Sequence, residues 1–134
     1  GTSSFYSWAG DTFELLCIEH LPQIVNSLRI PAVDRHHCWN GKAPDGKGAQ
    51  VDLVLECKSA ATDYLCEMKF STGKYVISAD EADNILHKIE AFANSKMHNK
   101  SRSIQMVMVA AMGLAQGYHS SIANNVIVLD DLFK

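Results

Sequence analysis

The chain has 134 residues, of which 47% are hydrophobic and 20% are charged, so it can build one domain with a core and is not disordered. The formal net charge of −3 argues against a domain that grips nucleic acid by bulk charge alone, although a local basic patch is compatible with it. No apolar run approaches the ~20 residues of a membrane span, and no signal-peptide pattern opens the chain. We therefore expect a cytoplasmic protein with no membrane partner.

A helix, a strand and a loop are predicted before the centre of the chain. Apolar residues at helical spacing predict a first helix over 11–28, which Asp11 would cap and Pro22 would bend or split. A short strand is predicted over 32–39, and the glycines that follow predict a loop over 40–48.

A strand pair and a second helix are predicted next. The strands cover 50–57 and 64–70, and the gap between them has the size of a hairpin turn. Ser78 and Glu81 have the spacing of a capping box, which predicts a helix that begins there and reaches about Met97.

Two more strands complete the predicted sheet. Residues 104–111 are nearly all apolar, which is typical of a strand buried on both faces. A last short strand is predicted over 125–129, with Asp130 as the cap of a closing turn. The order of helix, three strands, helix and strand predicts an α/β fold in which helices pack on a mixed sheet.

Cysteine and histidine patterns do not indicate a zinc site. The four cysteines include no C-x-x-C pair, so reduced thiols of a cytosolic protein are the expectation. His36, His37 and Cys38 are neighbours on a predicted strand, where successive side chains point to opposite faces and cannot converge on one ion.

Charged residues interrupt the two strands of the predicted hairpin, with Asp52 on the first and Glu67 and Lys69 on the second. Pairing through a six-residue turn, 58–63, puts Asp52 opposite Lys69, and a register shifted by two puts Asp52 opposite Glu67. Either register brings the three groups to one face within ~5–8 Å of one another, whereas a shift by one scatters them.

Two interpretations fit these charges. One is a structural ion pair between Asp52 and Lys69, with Glu67 at its rim. The other is a metal site, because two adjacent carboxylates near a core repel each other unless a cation lies between them. Mg²⁺ or Mn²⁺ meets that need with oxygen ligands, and a neighbouring lysine can steady or deprotonate a water or stabilise a phosphate.

Asp52 and then Glu67-Met68-Lys69 on the next strand resemble the D…E-x-K signature of the PD-(D/E)XK phosphodiesterases, the restriction-endonuclease-like superfamily. The resemblance implies an αβββαβ core with a mixed central sheet flanked by helices, which the predicted order matches. It also implies a glutamate from the first helix in the metal shell, for which Glu14 is the match and Glu19 a less favoured substitute. The proline that names the motif is replaced by Val51.

A closer resemblance covers nearly the whole chain. The segments FELLCIEHLPQI, GAQVDLVLE, LCEMKFS and LDDLF resemble the domain appended to the C-terminus of certain bacterial and archaeal AAA-type ATPases. This resemblance implies that the chain, which begins at Gly1 without a methionine, is one nuclease-like domain, 1–134, from the C-terminus of a longer ATPase. The AAA-type ATPase domain of the same chain is then an expected partner.

The resemblance implies a nuclease that hydrolyses nucleic acid, with DNA favoured over RNA. Asp52, Glu67, Glu14 and the carbonyl of Met68 would hold Mg²⁺ or Mn²⁺, and Lys69 would orient the attacking water. The alternative is a catalytically inactive module that keeps the fold for nucleic-acid binding or for docking and regulating the ATPase. A divalent ion bound at the site would favour catalysis.

Polar and basic residues around the hairpin are the expected substrate contacts. Gln50 shares a strand face with Asp52, and Lys88 lies on the second helix, where a solvated lysine is the alternative. The loop over 98–103 has two open interpretations, a solvated loop and a rim that contacts phosphate. The complete set of expected contacts is Gln50, Lys42, Lys47, Lys88, Lys100 and Arg102.

Overall fold

Five strands form one mixed sheet in which their spatial order follows their order in the chain. A computed structural model describes residues 2–134. The strands are β1 (Arg35–Lys42), β2 (Gly48–Cys57), β3 (Thr62–Lys69), β4 (Ser103–Ala110) and β5 (Asn125–Ile127). β1, β2 and β3 are antiparallel neighbours, while β4 runs parallel to β3 and β5 parallel to β4. The predicted α/β class and its mixed sheet are confirmed.

Helices cover both faces of this sheet. They are α1 (Thr2–Glu19), α2 (Leu21–Ser27) and α3 (Ala79–Ala93), and α3 connects β3 to the parallel strand β4. One core layer lies under α1 and α2 and includes Leu55 and Cys66, and the other lies under α3 and includes Val54 and Phe92. β4 contributes to both layers, as its apolar sequence predicted. Among the helices that the structure describes, none is long and apolar enough to cross a membrane.

The first predicted helix is split at the predicted place but begins earlier than predicted. Pro22 lies in the first turn of α2, where its missing N–H is not needed, so α1 and α2 are separate helices. α1 begins at Thr2, and Asp11 therefore lies inside the helix instead of capping it. Residues 4–8 are all exposed, so the first turns carry no buried apolar stripe that a periodicity argument can detect.

β1 extends into the loop predicted over 40–48. It begins at Arg35 and ends at Lys42, which leaves only 43–47 for the turn to β2. The amide of Ala43 donates to the carbonyl of Lys47 at 2.9 Å, and Gly46 adopts a positive φ of 85° that glycine tolerates best. The ladder hydrogen bonds outweigh the weak strand preference of the glycine-containing segment.

One predicted cap forms at α3, and the cap of the closing turn shifts by one residue. Ser78 caps α3, since its side chain accepts a hydrogen bond from the amide of Glu81 at 3.1 Å. The helix ends at Ala93, short of the predicted Met97. In the closing turn the cap is Asp131, not Asp130, because Asp131 Oδ2 accepts a hydrogen bond from the Val128 amide at 2.9 Å.

The β2–β3 hairpin adopts the second of the two registers considered. Cys57 pairs with Thr62 and Leu53 with Cys66, so the turn has four residues, 58–61. Continued by one residue, this register puts Asp52 opposite Glu67. On its other side β2 has a bulge, because the register with β1 shifts between His37 and Trp39. A bulge re-aims the side chains around it, and Asp52 lies within this one.

A buried ionic network, which we call the hairpin-end network, closes the sheet beside the hairpin turn. Arg102 Nη2 lies 3.2 Å from Glu56 Oε1, and Arg102 Nε lies 3.0 Å from Asp63 Oδ1, the latter without hydrogen-bond alignment. Asp63 is completely buried, and its Oδ2 lies 2.8 Å from Nδ1 of His98. His37 Nε2 contacts the other Glu56 oxygen at 2.9 Å. The loop that carries Arg102 is therefore held by buried carboxylates.

This network corrects the interpretation of Arg102 as a phosphate contact. Its guanidinium is mostly buried and serves two internal carboxylates. Thr62 pairs with Ser103, whereas Lys69 pairs with Ala110, so seven strand residues, or about 23 Å, separate the two ends of β3. Lys100 is exposed but belongs to the same distant end.

We expect Arg102→Ala to lower the free energy of unfolding by about 3–5 kcal/mol, because Glu56 and Asp63 would remain buried without their shared cation. Urea unfolding measures the change. Lys100→Ala, at an exposed position two residues away, is the matched control and should shift stability by no more than ~0.5 kcal/mol. Equal effects of the two substitutions would show that the network does not stabilise the fold.

Candidate active site

A cavity of about 440 Å³ opens at the other end of the hairpin, between β2, β3 and α3. β2 contributes Gln50 and Asp52 to its wall, and β3 contributes Lys69. The rest of the lining consists of Gly48, Ala49, Glu81, Asn84, His87 and Lys88. The cavity therefore joins the motif residues of the hairpin to the polar side of α3.

Two ion pairs connect β3 to α3 across this cavity, and we call them the crossed ion pairs. Lys88 Nζ lies 2.6 Å from Glu67 Oε1, and Lys69 Nζ lies 3.1 Å from Glu81 Oε1. Glu67 and Lys69 are two residues apart and share a strand face, while Glu81 and Lys88 are two helical turns apart on α3. Each element thus carries one acid and one base in complementary order.

Glu81 has a different role from the one its capping-box spacing predicted. Its amide donates to Ser78, which is half of a capping box. Its carboxylate is instead 3.1 Å from the amine of Lys69. The side chain that the motif assigns to helix capping therefore belongs to the candidate site.

Glu14 approaches the motif residues from α1. Burial raises the pKa of Glu14, and the negative charges of Asp52, Asp11 and Glu67 raise it further, while Lys69 lowers it. The charges of all three motif residues therefore affect the pKa of Glu14. Its side chain nevertheless lines a separate cavity beside Asp11. The four residues predicted to be catalytic thus form one electrostatic cluster.

Lys69 is held in its charged form. Burial lowers the pKa of Lys69, but the hydrogen bond and charge of Glu81, together with the charges of Tyr75 and Glu67, outweigh it and raise the pKa above its ordinary value. A lysine with a raised pKa keeps its proton at neutral pH. Lys69 is therefore suited to stabilise an anion or orient a water, and not to act as a general base.

The donor chemistry of the site fits a hard divalent cation. Glu14, Asp52, Glu67 and the Met68 carbonyl offer oxygen atoms, the ligands that Mg²⁺ and Mn²⁺ prefer. Asp52, Glu67 and Glu81 lie around the two amines of the crossed ion pairs, which leaves one formal negative charge uncompensated, and Glu14 adds to the negative potential from α1.

The carboxylates are not drawn together around a common point. Within residues 2–134, no three His, Cys, Asp or Glu side chains form a group close enough to hold a metal. Glu67 is engaged by Lys88, and Asp52 Oδ1 accepts a hydrogen bond from Gln50 Nε2 at 2.9 Å. An ion shared by Asp52 and Glu67 would lie beside the Lys88 amine, which occupies Oε1 of Glu67 and would repel the ion.

The predicted substrate contacts fall into two groups. Gln50 and Lys88 line the cavity, and Lys88 is an ion-pair partner of Glu67 and not a solvated helix lysine. Lys42 pairs with the cavity residue Gly48 and is exposed, and Lys47 precedes Gly48 in the same turn. These four residues surround the site, in contrast to Lys100 and Arg102.

Three cavity residues of α3 were not among the predicted site residues. Glu81, Asn84 and His87 line the cavity beside Lys88. The signal for two of them was present in the sequence, since polar residues at 81, 84 and 88 recur at helical spacing beside the buried stripe of the same helix. His87 also contacts the β1–β2 turn, with Nε2 3.5 Å from Asp45 Oδ1.

Comparison of the chain with family models, curated proteins and solved structures finds no match. An α/β architecture with a mixed sheet carries many unrelated activities, so the fold alone does not assign a function. The side chains of the cavity and their electrostatics are therefore the features from which a function can be inferred.

The raised pKa of Glu14 leads to a pH-dependent prediction. Between the ordinary pKa of 4.5 and the raised value, the folded chain binds more protons than the unfolded chain, so stability falls as pH rises through that window. Glu14→Gln removes this penalty. The Tm of the variant should slightly exceed that of the wild type near pH 7, and the difference should vanish below pH 4.5.

Glu19→Gln is the matched control for this experiment, because Glu19 is an exposed glutamate of the same helix outside both cavities. Its Tm should follow that of the wild type at every pH. A Tm of Glu14→Gln clearly below the wild-type value at pH 7 would mean that Glu14 makes a favourable contact in the fold.

Proposed function

We propose that this chain is a PD-(D/E)XK-type nuclease domain that uses Mg²⁺ or Mn²⁺. The observation that carries the proposal is the electrostatic cluster of Glu14, Asp52, Glu67 and Lys69 at one end of the hairpin. The chain forms helices, then three antiparallel strands, then a crossover helix and a parallel strand. This order of elements supports the same superfamily. The uncompensated negative charge of the site supports a cation there.

Each motif residue has a role in this proposal. Asp52, Glu67, Glu14 and the carbonyl of Met68 would hold the ion. A bound ion would neutralise charge on the scissile phosphate and would activate a water for hydrolysis. Gln50 holds one oxygen of Asp52 and thereby fixes the orientation of that carboxylate.

Lys69 supplies a positive charge at the reaction centre. The Glu81 carboxylate holds its amine at 3.1 Å and keeps it protonated. A protonated amine donates hydrogen bonds, so Lys69 would orient the attacking water or bind a non-bridging phosphate oxygen. Glu81 is then a positioning residue that acts through Lys69.

The proposed substrate is nucleic acid, with DNA favoured over RNA. The cavity opens beside the β1–β2 turn, whose flanking Lys42 and Lys47 are exposed and can contact a phosphate backbone. The chain nevertheless carries a net charge of −3. We therefore propose that an AAA-type ATPase domain of the same protein supplies most of the grip on the substrate.

A second candidate function is a catalytically inactive module of the same fold that binds nucleic acid or docks and regulates the ATPase. The crossed ion pairs favour it, because each charged motif residue of β3 already has a partner on α3 at 2.6 or 3.1 Å. Such pairs can stabilise the packing of a helix on a sheet without any metal. Binding of Mn²⁺ at the site discriminates between the two functions.

A nuclease assay with Mn²⁺ tests the proposal directly. Lys69→Ala and Asp52→Asn should each lower the cleavage rate of DNA by about 10²-fold or more, since each removes charge stabilisation at the scissile phosphate. Lys96→Ala is the matched control, because Lys96 is exposed and lies outside the cavity. Cleavage that survives Lys69→Ala unchanged would come from another site or a contaminant.

The charge of the chain predicts weak binding of DNA by this domain alone. With about two to four phosphate contacts available, we expect a Kd at or above ~10⁻⁵ M in physiological salt. Each contact contributes about 0.9 to the slope of log K against log salt, so a salt titration should give a slope of about 2 to 4 in magnitude. Submicromolar binding at physiological salt would show that the surface carries a basic patch stronger than its composition suggests.

A further inference from the structure

We infer that Lys88 is an internal counter-cation that competes with the divalent ion for Glu67 and is released toward the substrate when the ion binds. The inference rests on the proposed function, because it concerns the same site. It adds a residue of α3 that controls how tightly the site holds a metal. It also links metal binding to the recognition of phosphate.

The two partners of this ion pair differ in their freedom to move. Glu67 is 5% exposed and belongs to the third strand of a five-stranded sheet, so its carboxylate cannot turn to solvent. The Lys88 side chain is 28% exposed and lines the cavity. A lysine amine on its flexible four-carbon stem can leave the carboxylate and remain solvated without any change in α3.

Glu67 needs a cation in either state. A carboxylate that is nearly buried is strongly destabilising unless a positive charge compensates it. Lys88 meets that need with its amine 2.6 Å from Oε1. A metal on the other oxygen of Glu67 would lie close to the amine and repel it, so each cation weakens the binding of the other.

The two lysines of the cavity therefore have different roles. Lys69 is held by Glu81, which is not a proposed metal ligand, so metal binding leaves that pair intact. Lys88 is held by Glu67, which is a proposed ligand, so metal binding sets its amine free. The released amine lies in the same cavity as Lys69, and both can then bind the anionic phosphate.

Titration calorimetry with Mn²⁺ alone tests the competition without any measurement of activity. Lys88→Gln should bind Mn²⁺ about tenfold to a hundredfold more tightly than the wild type, the size expected when a hydrogen bond to a charged group no longer has to be broken. Lys88→Arg keeps the competing charge and should bind no more tightly than the wild type. Lys96→Gln, at an exposed position outside the cavity, should match the wild type.

Thermal unfolding gives a second readout if Lys88→Gln folds poorly. Without metal its Tm should be lower than that of the wild type, because Glu67 is left unpaired, and saturating Mn²⁺ should raise its Tm by more than it raises that of the wild type. Such rescue supports the inference even when calorimetry is impractical.

The outcomes separate this inference from the proposed function. Mn²⁺ binding by the wild type together with equal or weaker binding by folded Lys88→Gln would overturn the role of Lys88 and leave the nuclease proposal standing. No binding by the wild type or by any variant would overturn both. Binding by Lys88→Gln alone would support the inference and show that Lys88 keeps the wild-type site closed to the metal.

Discussion

A charged carboxylate at the centre of the sheet is the constraint around which the candidate site is arranged. Glu67 is nearly buried on β3, the middle strand of five, and a charge there requires a partner. α3 supplies it through Lys88, and the same helix supplies Glu81 for Lys69 two residues further along β3. The position of α3 on the sheet is therefore fixed by charge as well as by the apolar stripe that ends in Phe92.

The order of the elements and the parity of the hairpin could be predicted from the sequence, because both follow from short-range patterns. Alternation along two strands puts Asp52, Glu67 and Lys69 together in either of two registers, so the site did not depend on choosing between them. Which of the two registers forms depends on the turn. Ala61 adopts a positive φ of 48° there, which the residue preferences of alanine do not predict. The bulge around Asp52 similarly depends on pairing with β1.

What the sequence could not predict are contacts between residues far apart in the chain. The sequence predicts substrate contacts for Arg102 from its place in a basic loop and for Lys88 from its place on the second helix. One serves buried carboxylates at the hairpin turn, and the other serves Glu67 at the cavity. These two environments differ only because the loop that carries Arg102 packs on β2 whereas α3 packs on β3. Neither contact produces a periodic pattern in the sequence.

Two ionic clusters lie at opposite ends of the β2–β3 hairpin. Their composition explains why we interpret one as structural and the other as a functional site. In the hairpin-end network, Glu56 and Asp63 meet two arginines and two imidazoles, and Arg102 fastens a loop to the sheet. At the cavity Asp52, Glu67 and Glu81 outnumber the two amines, and both amines belong to partly exposed lysines. A closed network with an arginine at its centre resists change, whereas an open cluster with surplus negative charge and mobile amines can exchange one cation for another. That difference in chemistry, more than the motif itself, is why catalysis is proposed at one end of the hairpin and stability at the other.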